Sequence, residues 1–277
     1  MTESLEDYIR RIQGYSPVFE PGRQTQIEAP QLQAGRVNRI LFYPGSFNPP
    51  HVGHSALLQH VFKTSASHMN FIAAVVFPLD DEALVERLES DRNPLVLKKH
   101  ERIRLWRGHG PAAGHVWVYD HPVSSWWQLH DRLIQDVARD GFKLEISVLF
   151  GPDNLSQLEE FPAQPWGCNE CLFSDIGRDA VITSGHKDSS PGLTPLKQLD
   201  LYGPWERTVV GSLCRRDDDP PSTIHFIPKP DDQVVPQTSS SEIRRAIRNS
   251  LPGRLEIDLH GLVLNPDVLA EILARRR

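Results

Sequence analysis

The strongest restriction on this chain comes from the way short apolar runs alternate with amphipathic stretches. Arg39–Tyr43, Phe71–Phe77, Val116–Tyr119 and Leu144–Phe150 read as strands, and Ser55–Phe62, Lys98–Trp106 and Ser125–Ala138 between them read as helices. Shorter strands are predicted at Cys171–Ile176 and Ile224–Ile227, and helices at Ser240–Asn249 and Asp267–Ala274. A run that is apolar along its whole length has no solvent face, so these strands must be covered on both sides. Strands and helices alternating at this length give that cover by winding helices over both faces of a parallel sheet. The prediction is an α/β fold: a Rossmann-like, doubly wound parallel sheet with C-terminal helices. In such sheets ligands bind beyond the carboxyl ends of the strands, so the loops there are where chemistry is expected.

Two segments stand apart from this pattern. Ser4–Gln13 carries Leu5, Tyr8, Ile9 and Ile12 at helical spacing behind a potential Ser4 cap, and a polar link from Ser16 to Gly35 follows. Residues 1–36 are therefore expected to form an N-terminal helical appendage and linker ahead of a 37–277 domain. Between Ser184 and Pro221 the chain is rich in Pro, Gly, Ser and Asp, as in Lys187–Gly192 and Asp217–Pro221. So little apolar area predicts a mobile surface insertion, with a substrate lid as the second reading.

The formal charge of −6 lacks the concentrated basic surface that a nucleic-acid coat protein needs, and only Arg275–Arg277 form a basic run. No stretch reaches the length of a membrane helix, and the N-terminus lacks the basic and apolar regions of a signal peptide. The expected location is the cytoplasm or nucleus, without nucleic-acid or membrane partners. Three cysteines do not make a disulfide framework, and the Cys168–Cys171 CxxC pair, with only Cys214 besides, is a weak indication of zinc or redox chemistry.

The most informative segment is Gly45-Ser46-Phe47-Asn48-Pro49-Pro50-His51-Val52-Gly53-His54, between the first strand of the repeating part and its helix. Gly45 would permit a tight turn, and the amides around Ser46 and Phe47 could face an anion. A helix beginning near Gly53 would direct its positive dipole end to the same place. His51 and His54, three apart, could project from one face as donors to phosphate oxygens. The plainer readings are a strand-to-helix turn capped by histidines, or half of a zinc site.

Two further segments follow in order. Gly151 and Asp153 end a strong strand, where the glycine permits close approach of a ligand and the carboxylate could accept from ribose hydroxyls. In Thr238-Ser239-Ser240-Ser241-Glu242-Ile243-Arg244, Ser239 and Glu242 make a capping box, which alone accounts for helix initiation. Arg244, a turn inside that helix, could reach an anion held at its start.

The first run resembles the nucleotide-binding signature of the HxGH nucleotidylyltransferase superfamily, in the form found in its nicotinamide/nicotinate mononucleotide adenylyltransferase branch. The second is similar to the family's GxDxLxxL element, through Leu155 and Leu158. The third is similar to ISSTxxR, with Thr238 in place of Ile and Ser241 in place of Thr. Weaker matches lie at Lys98–Ile103 and at Arg178. The resemblance implies a domain of the HxGH fold that moves AMP from ATP to nicotinamide or nicotinate mononucleotide, releasing pyrophosphate. It implies catalytic roles for His51, His54 and Arg244, and nucleotide contacts from Gly45, Ser46, Phe47, Gly53, Gly151, Asp153, Ser239 and Ser240. Mg²⁺ is expected to arrive on the triphosphate, without a protein metal site of its own. Family members set an aromatic ring against the acceptor base; the candidates here are Trp126 and Trp127, with Arg178 beside them, although the local pattern departs from the family's. The alternatives are a transferase of the superfamily with another acceptor, and a divergent homologue that binds or hydrolyses nucleotide and acts through protein partners.

Overall fold

The computed structural model describes residues 2–14, 18–19, 30–89, 94–108, 114–151, 161–177, 196–217, 219–230, 238–251 and 253–276. The chain opens with β1 (Thr2–Ser4), α1 (Leu5–Gln13) and β2 (Gln31–Gln33), the two strands pairing as a small antiparallel ribbon. Then come β3 (Val37–Gly45), α2 (Val52–Met69), β4 (Phe71–Pro78), α3 (Asp81–Arg87), α4 (Lys99–Arg107), β5 (Val116–Val118), α5 (Trp126–Arg139) and β6 (Lys143–Leu149). They are followed by β7 (Glu170–Phe173), β8 (Glu206–Arg207), β9 (Ser212–Arg216), β10 (Ser222–Phe226), α6 (Ser240–Asn249), α7 (Leu255–Leu259) and α8 (Pro266–Ala274).

An eight-stranded sheet has the order β5-β4-β3-β6-β7-β10-β9-β8. From β5 to β10 neighbouring strands are parallel, and β9 and β8 close one edge antiparallel. After β3 the chain moves outward through β4 and β5, then returns to place β6 on the other side of β3. This is the doubly wound, Rossmann-like α/β fold, and its strand order reverses between β3 and β6.

The alternation of side chains along β3 shows why its sequence is apolar throughout. Ile40 and Phe42 enter a cluster with Trp126, Leu129, Leu133 and Val137 of α5, while Leu41 and Tyr43 enter another with Leu57, Leu58, Val61 and Phe62 of α2. Helices thus cover both faces, as the uninterrupted apolar runs require. α2 ends at Asn70, which adopts the left-handed conformation (φ 55°) that Asn tolerates. Its side-chain amide donates to the Val37 carbonyl at 2.9 Å, tying the end of α2 to the start of β3. A third cluster joins Leu105 of α4, Ile243 of α6, Leu259 of α7 and Leu269 of α8.

Two segments depart from the sequence expectation. The helix read as an appendage is built into the core: Leu5, Tyr8 and Ile9 are at most 1% exposed and share the α5 cluster. The Tyr8 hydroxyl donates to Asp140 Oδ2 at 2.6 Å. The segment read as a surface insertion over 184–221 supplies the antiparallel edge, with Tyr202, Leu213 and Cys214 buried in or beside it. Its few apolar residues are well placed rather than numerous, which is why composition concealed them. Residues 184–195 lie outside the described residues.

If α1 belongs to the core, Leu5→Ala and Ile9→Ala should each cost about 2–5 kcal/mol in urea unfolding. Exposed helix positions would lose no more than about 0.5 kcal/mol.

Candidate active site

A cleft of about 420 Å³ opens at the carboxyl ends of β3 and β6, where the strand order reverses. The end of β3, the loop after it and the first turn of α2 form one wall, with Gly45, Ser46, Phe47, His51, Gly53 and His54 all lining it. Gly151 at the end of β6, Ile176 and Gly177 beyond β7, and Thr238 and Ser240 at the head of α6 line other parts.

His51 is the N-cap of α2 and His54 lies in its first turn, so both rings stand where the unpaired N–H groups of the helix start gather. The imidazoles stack with centroids 3.6 Å apart. The His51 backbone N–H donates to His54 Nδ1 at 3.2 Å, so a neutral His54 carries its proton on Nε2. Gly53 makes room for this pair: a β-carbon there would lie 3.1 Å from His51 Nδ1.

Gly45 serves differently from the sequence reading. It has no positive φ; a β-carbon would lie 2.7 Å from Cζ of the buried Phe47 ring, which folds back beneath it. The unusual backbone belongs to Phe47 itself, with φ 47°. Phe47 packs edge-on against Trp106 and His54, centroids 5.2 and 5.0 Å away.

The loop is held by donors from distant elements. Arg102, fully buried on α4, donates to the Ser46 carbonyl at 2.8 Å, to the Leu97 carbonyl at 3.0 Å and to Asp81 Oδ1 at 2.8 Å. Burial depresses the Arg102 pKa, and the Asp81 carboxylate opposes that fall. The Asn48 side chain bridges the Leu95 carbonyl and the Leu97 N–H. Arg244 donates to the Asn48 carbonyl at 2.9 Å and to Ser241 Oγ at 3.0 Å, and Ser240 Oγ donates to the Pro49 carbonyl at 3.1 Å. The stretch before α8 adds a bond from the Leu264 N–H to the Pro50 carbonyl, and the Val52 N–H donates to the Leu262 carbonyl.

The expected residues therefore divide. Gly45, Ser46, Phe47, His51, Gly53, His54, Gly151 and Ser240 meet at one cleft. Arg244 does not line it; 8% exposed, it braces the loop from behind. Ser239 is the cap of α6, its Oγ accepting from the Glu242 N–H at 3.1 Å, which is the plainer of the two readings of that serine. Trp126 is corrected: 2% exposed and stacked on Phe42 with centroids 4.2 Å apart, it is a core residue, because the apolar face of α5 must cover the sheet. Trp127 is 43% exposed and lies over Gly167, outside the cleft lining. Asp153 and Arg178 lie outside the described residues.

Three lining or supporting residues have no clear mark in the sequence. Trp166, half-buried against Phe42 and Phe77, faces the cleft from a short turn that carries no motif. Arg87 at the end of α3 reaches it from a charged stretch that resembles any solvated helix face. Arg102 sits in the basic Lys98–Ile103 segment, where nothing distinguishes it from its exposed neighbours. The CxxC cysteines lead away from chemistry. Burial pushes the Cys168 and Cys214 thiols up to about 12 and raises Cys171 well above its ordinary value, so they stay protonated within the core. Among the described residues no group of three or more His, Cys, Asp or Glu is disposed to hold a metal ion.

No protein-family model matches this chain, and no curated protein matches it significantly. Among solved structures it is similar to Plasmodium falciparum nicotinic acid mononucleotide adenylyltransferase complexed with APC. That likeness has 13% identity and a TM-score of 0.45, over 85% of this chain and 96% of that one. For the same enzyme complexed with NaAD the TM-score is 0.44, at 13% identity over 85% of this chain and 96% of that one.

Replacing Arg102 by Met would take a donor from the Ser46 and Leu97 carbonyls and remove the buried charge opposite Asp81, which keeps only the Lys99 N–H and the more distant Lys98 ammonium. Urea unfolding should report a loss of about 3–5 kcal/mol, the cost of breaking a buried ion pair from one side. A loss under about 1 kcal/mol would place the contact with ordinary surface pairs.

Proposed function

We propose that this cleft binds MgATP and transfers its adenylyl group to the phosphate of nicotinamide or nicotinate mononucleotide. One observation carries the reading: the stacked His51–His54 pair at the head of α2, inside the Gly45–His54 run and at the reversal of strand order. A helix start supplies N–H groups and a positive dipole end; the two imidazoles form the capping box of that helix, and the Nε2 edge of His54, whose Nδ1 is taken by the cap, adds a donor beside it. Such a place suits a polyphosphate.

The reaction needs positioning more than covalent chemistry. An oxygen of the acceptor phosphate attacks the α-phosphorus of ATP, a new P–O bond forms, the bond from the α-phosphorus to the bridging oxygen breaks, and pyrophosphate leaves with the electron pair. His54, protonated on Nε2, and His51 donate to the phosphate oxygens as charge shifts toward the leaving group. Gly151 lets the nucleotide approach the end of β6 without a side chain between. Trp166, which lines the cleft together with Tyr43, Phe47 and Phe150, takes the place of the expected Trp126 as the face against which the acceptor ring stacks. Mg²⁺ enters with the triphosphate as part of the substrate.

The test is to incubate the protein with MgATP, alone and with each mononucleotide, and to measure pyrophosphate and dinucleotide. Pyrophosphate should appear only when acceptor is present, because the attacking group is a positioned phosphate and not water. His54→Ala should lower turnover by roughly a hundredfold or more, and Trp166→Ala should raise the acceptor KM with little change for ATP. Phosphate or pyrophosphate released from ATP alone would point instead to a hydrolytic homologue, and normal turnover of His54→Ala would remove the assigned role of the loop.

A further inference from the structure

Among the described residues that line the cleft, Arg87 is the only one with a permanent charge. It stands in the last turn of α3, an end of the helix that favours a cation. Its Nη1 donates to Ser46 Oγ at 3.1 Å across the mouth of the cleft, and no carboxylate among the described residues pairs with it. Neighbouring cations are committed otherwise. Arg102 holds Asp81 and two carbonyls, Lys99 holds Asp80 and the His121 carbonyl, Arg107 holds Asp120 and the Val118 carbonyl, and Arg244 holds the Asn48 carbonyl.

The position of Arg87 is also fixed relative to the loop. Asp81, the first residue of α3, and the Ser46 carbonyl are bonded by the same Arg102 guanidinium. Leu84 packs the middle of α3 into the protein at 1% exposure. A guanidinium has five N–H donors in a planar fork, so the bond to Ser46 leaves enough to grip an anion with two parallel bonds.

We infer that Arg87 is a ligand-binding residue that takes a phosphate group of the bound nucleotide. The inference rests on the proposed reading only for the identity of that nucleotide. The chemistry recognised is a phosphate, carried either by the triphosphate of ATP or by the 5′-monophosphate of the acceptor. An arginine here, and not in α6 as the sequence suggested, is the cation that faces the ligand directly.

Calorimetric titration of the full chain and of Arg87→Ala tests this, with MgATP, inorganic tripolyphosphate, nicotinate mononucleotide and adenosine as probes. Arg87 is exposed, so the variant should fold with an unchanged Tm. A phosphate-bearing probe should bind roughly tenfold to a hundredfold more weakly to Arg87→Ala, as loss of charge-assisted bonds does, while adenosine is unaffected. Arg87→Lys should recover part of the loss. Weakening of MgATP and tripolyphosphate alone assigns the residue to the triphosphate, and weakening of nicotinate mononucleotide alone assigns it to the acceptor. The inference is overturned if the wild-type chain binds no phosphate probe, if Arg87→Ala binds them all as the wild type does, or if adenosine is weakened equally. Failure of the transfer reaction reads out separately: a chain that forms no dinucleotide but loses phosphate affinity on Arg87→Ala contradicts the proposed function and leaves this assignment standing.

Discussion

The engagement of the carbonyl oxygens of Ser46, Asn48, Pro49 and Pro50 by donors from other parts of the fold is the interaction on which the site depends. Carbonyl oxygens that are bound from behind point away from the cleft and leave the loop's N–H groups to face an anion. Here the carbonyls of Ser46, Asn48, Pro49 and Pro50 are bonded by Arg102, Arg244, Ser240 and the Leu264 N–H respectively. Two of these donors are buried guanidiniums, so they also set positive charge behind the loop, where solvent screens it little. Asp81 balances Arg102 and allows a fully buried cation to persist there.

The layers of the protein exist in service of that arrangement. The apolar faces of β3 bury against α5 on one side and α2 on the other, which fixes where β3 ends and α2 begins. The cluster formed by α4, α6, α7 and α8 then brings Arg102, Ser240 and Arg244 against the intervening loop from outside the sheet. Loss of packing among the C-terminal helices would therefore loosen a loop far away in sequence, through the bonds those helices make to it. The N-terminal helix has a different part, sealing the α5 face and tying the carboxyl end of α5 to the start of the chain through Tyr8 and Asp140.

Much of this could be read from the sequence, for physical reasons. The strands of a doubly wound sheet are apolar on both faces and short, so β3, β4 and β6 are plain, and the loop between Gly45 and His54 follows from where β3 stops. The loop's histidines and glycines are local in sequence and legible with it. What escaped is what three dimensions decide. Trp126 and Trp127 look equivalent on paper, yet the facing of α5 buries one in the core and leaves the other outside the cleft, while Trp166 comes to the cleft from a turn with no periodicity at all. Arg87, Arg102 and Arg244 are three arginines on three helices, and their division into one that faces the cleft and two that brace its loop is set by packing and not by spacing. The edge strands β8 and β9 are hidden in the sequence because a polar, Pro-rich segment is held to the sheet by scattered apolar residues, Tyr202, Leu213 and Cys214 buried and Leu196, Leu199, Trp205 and Val210 packed beside them, that show no period.

The position of MgATP in a crystal of its complex with this protein tests the account most directly. The proposed function places the polyphosphate at the start of α2 within hydrogen-bonding distance of His51 and His54, and the ribose toward Gly151 at the end of β6. Nucleotide bound elsewhere, or a cleft left empty at saturating MgATP, would contradict it.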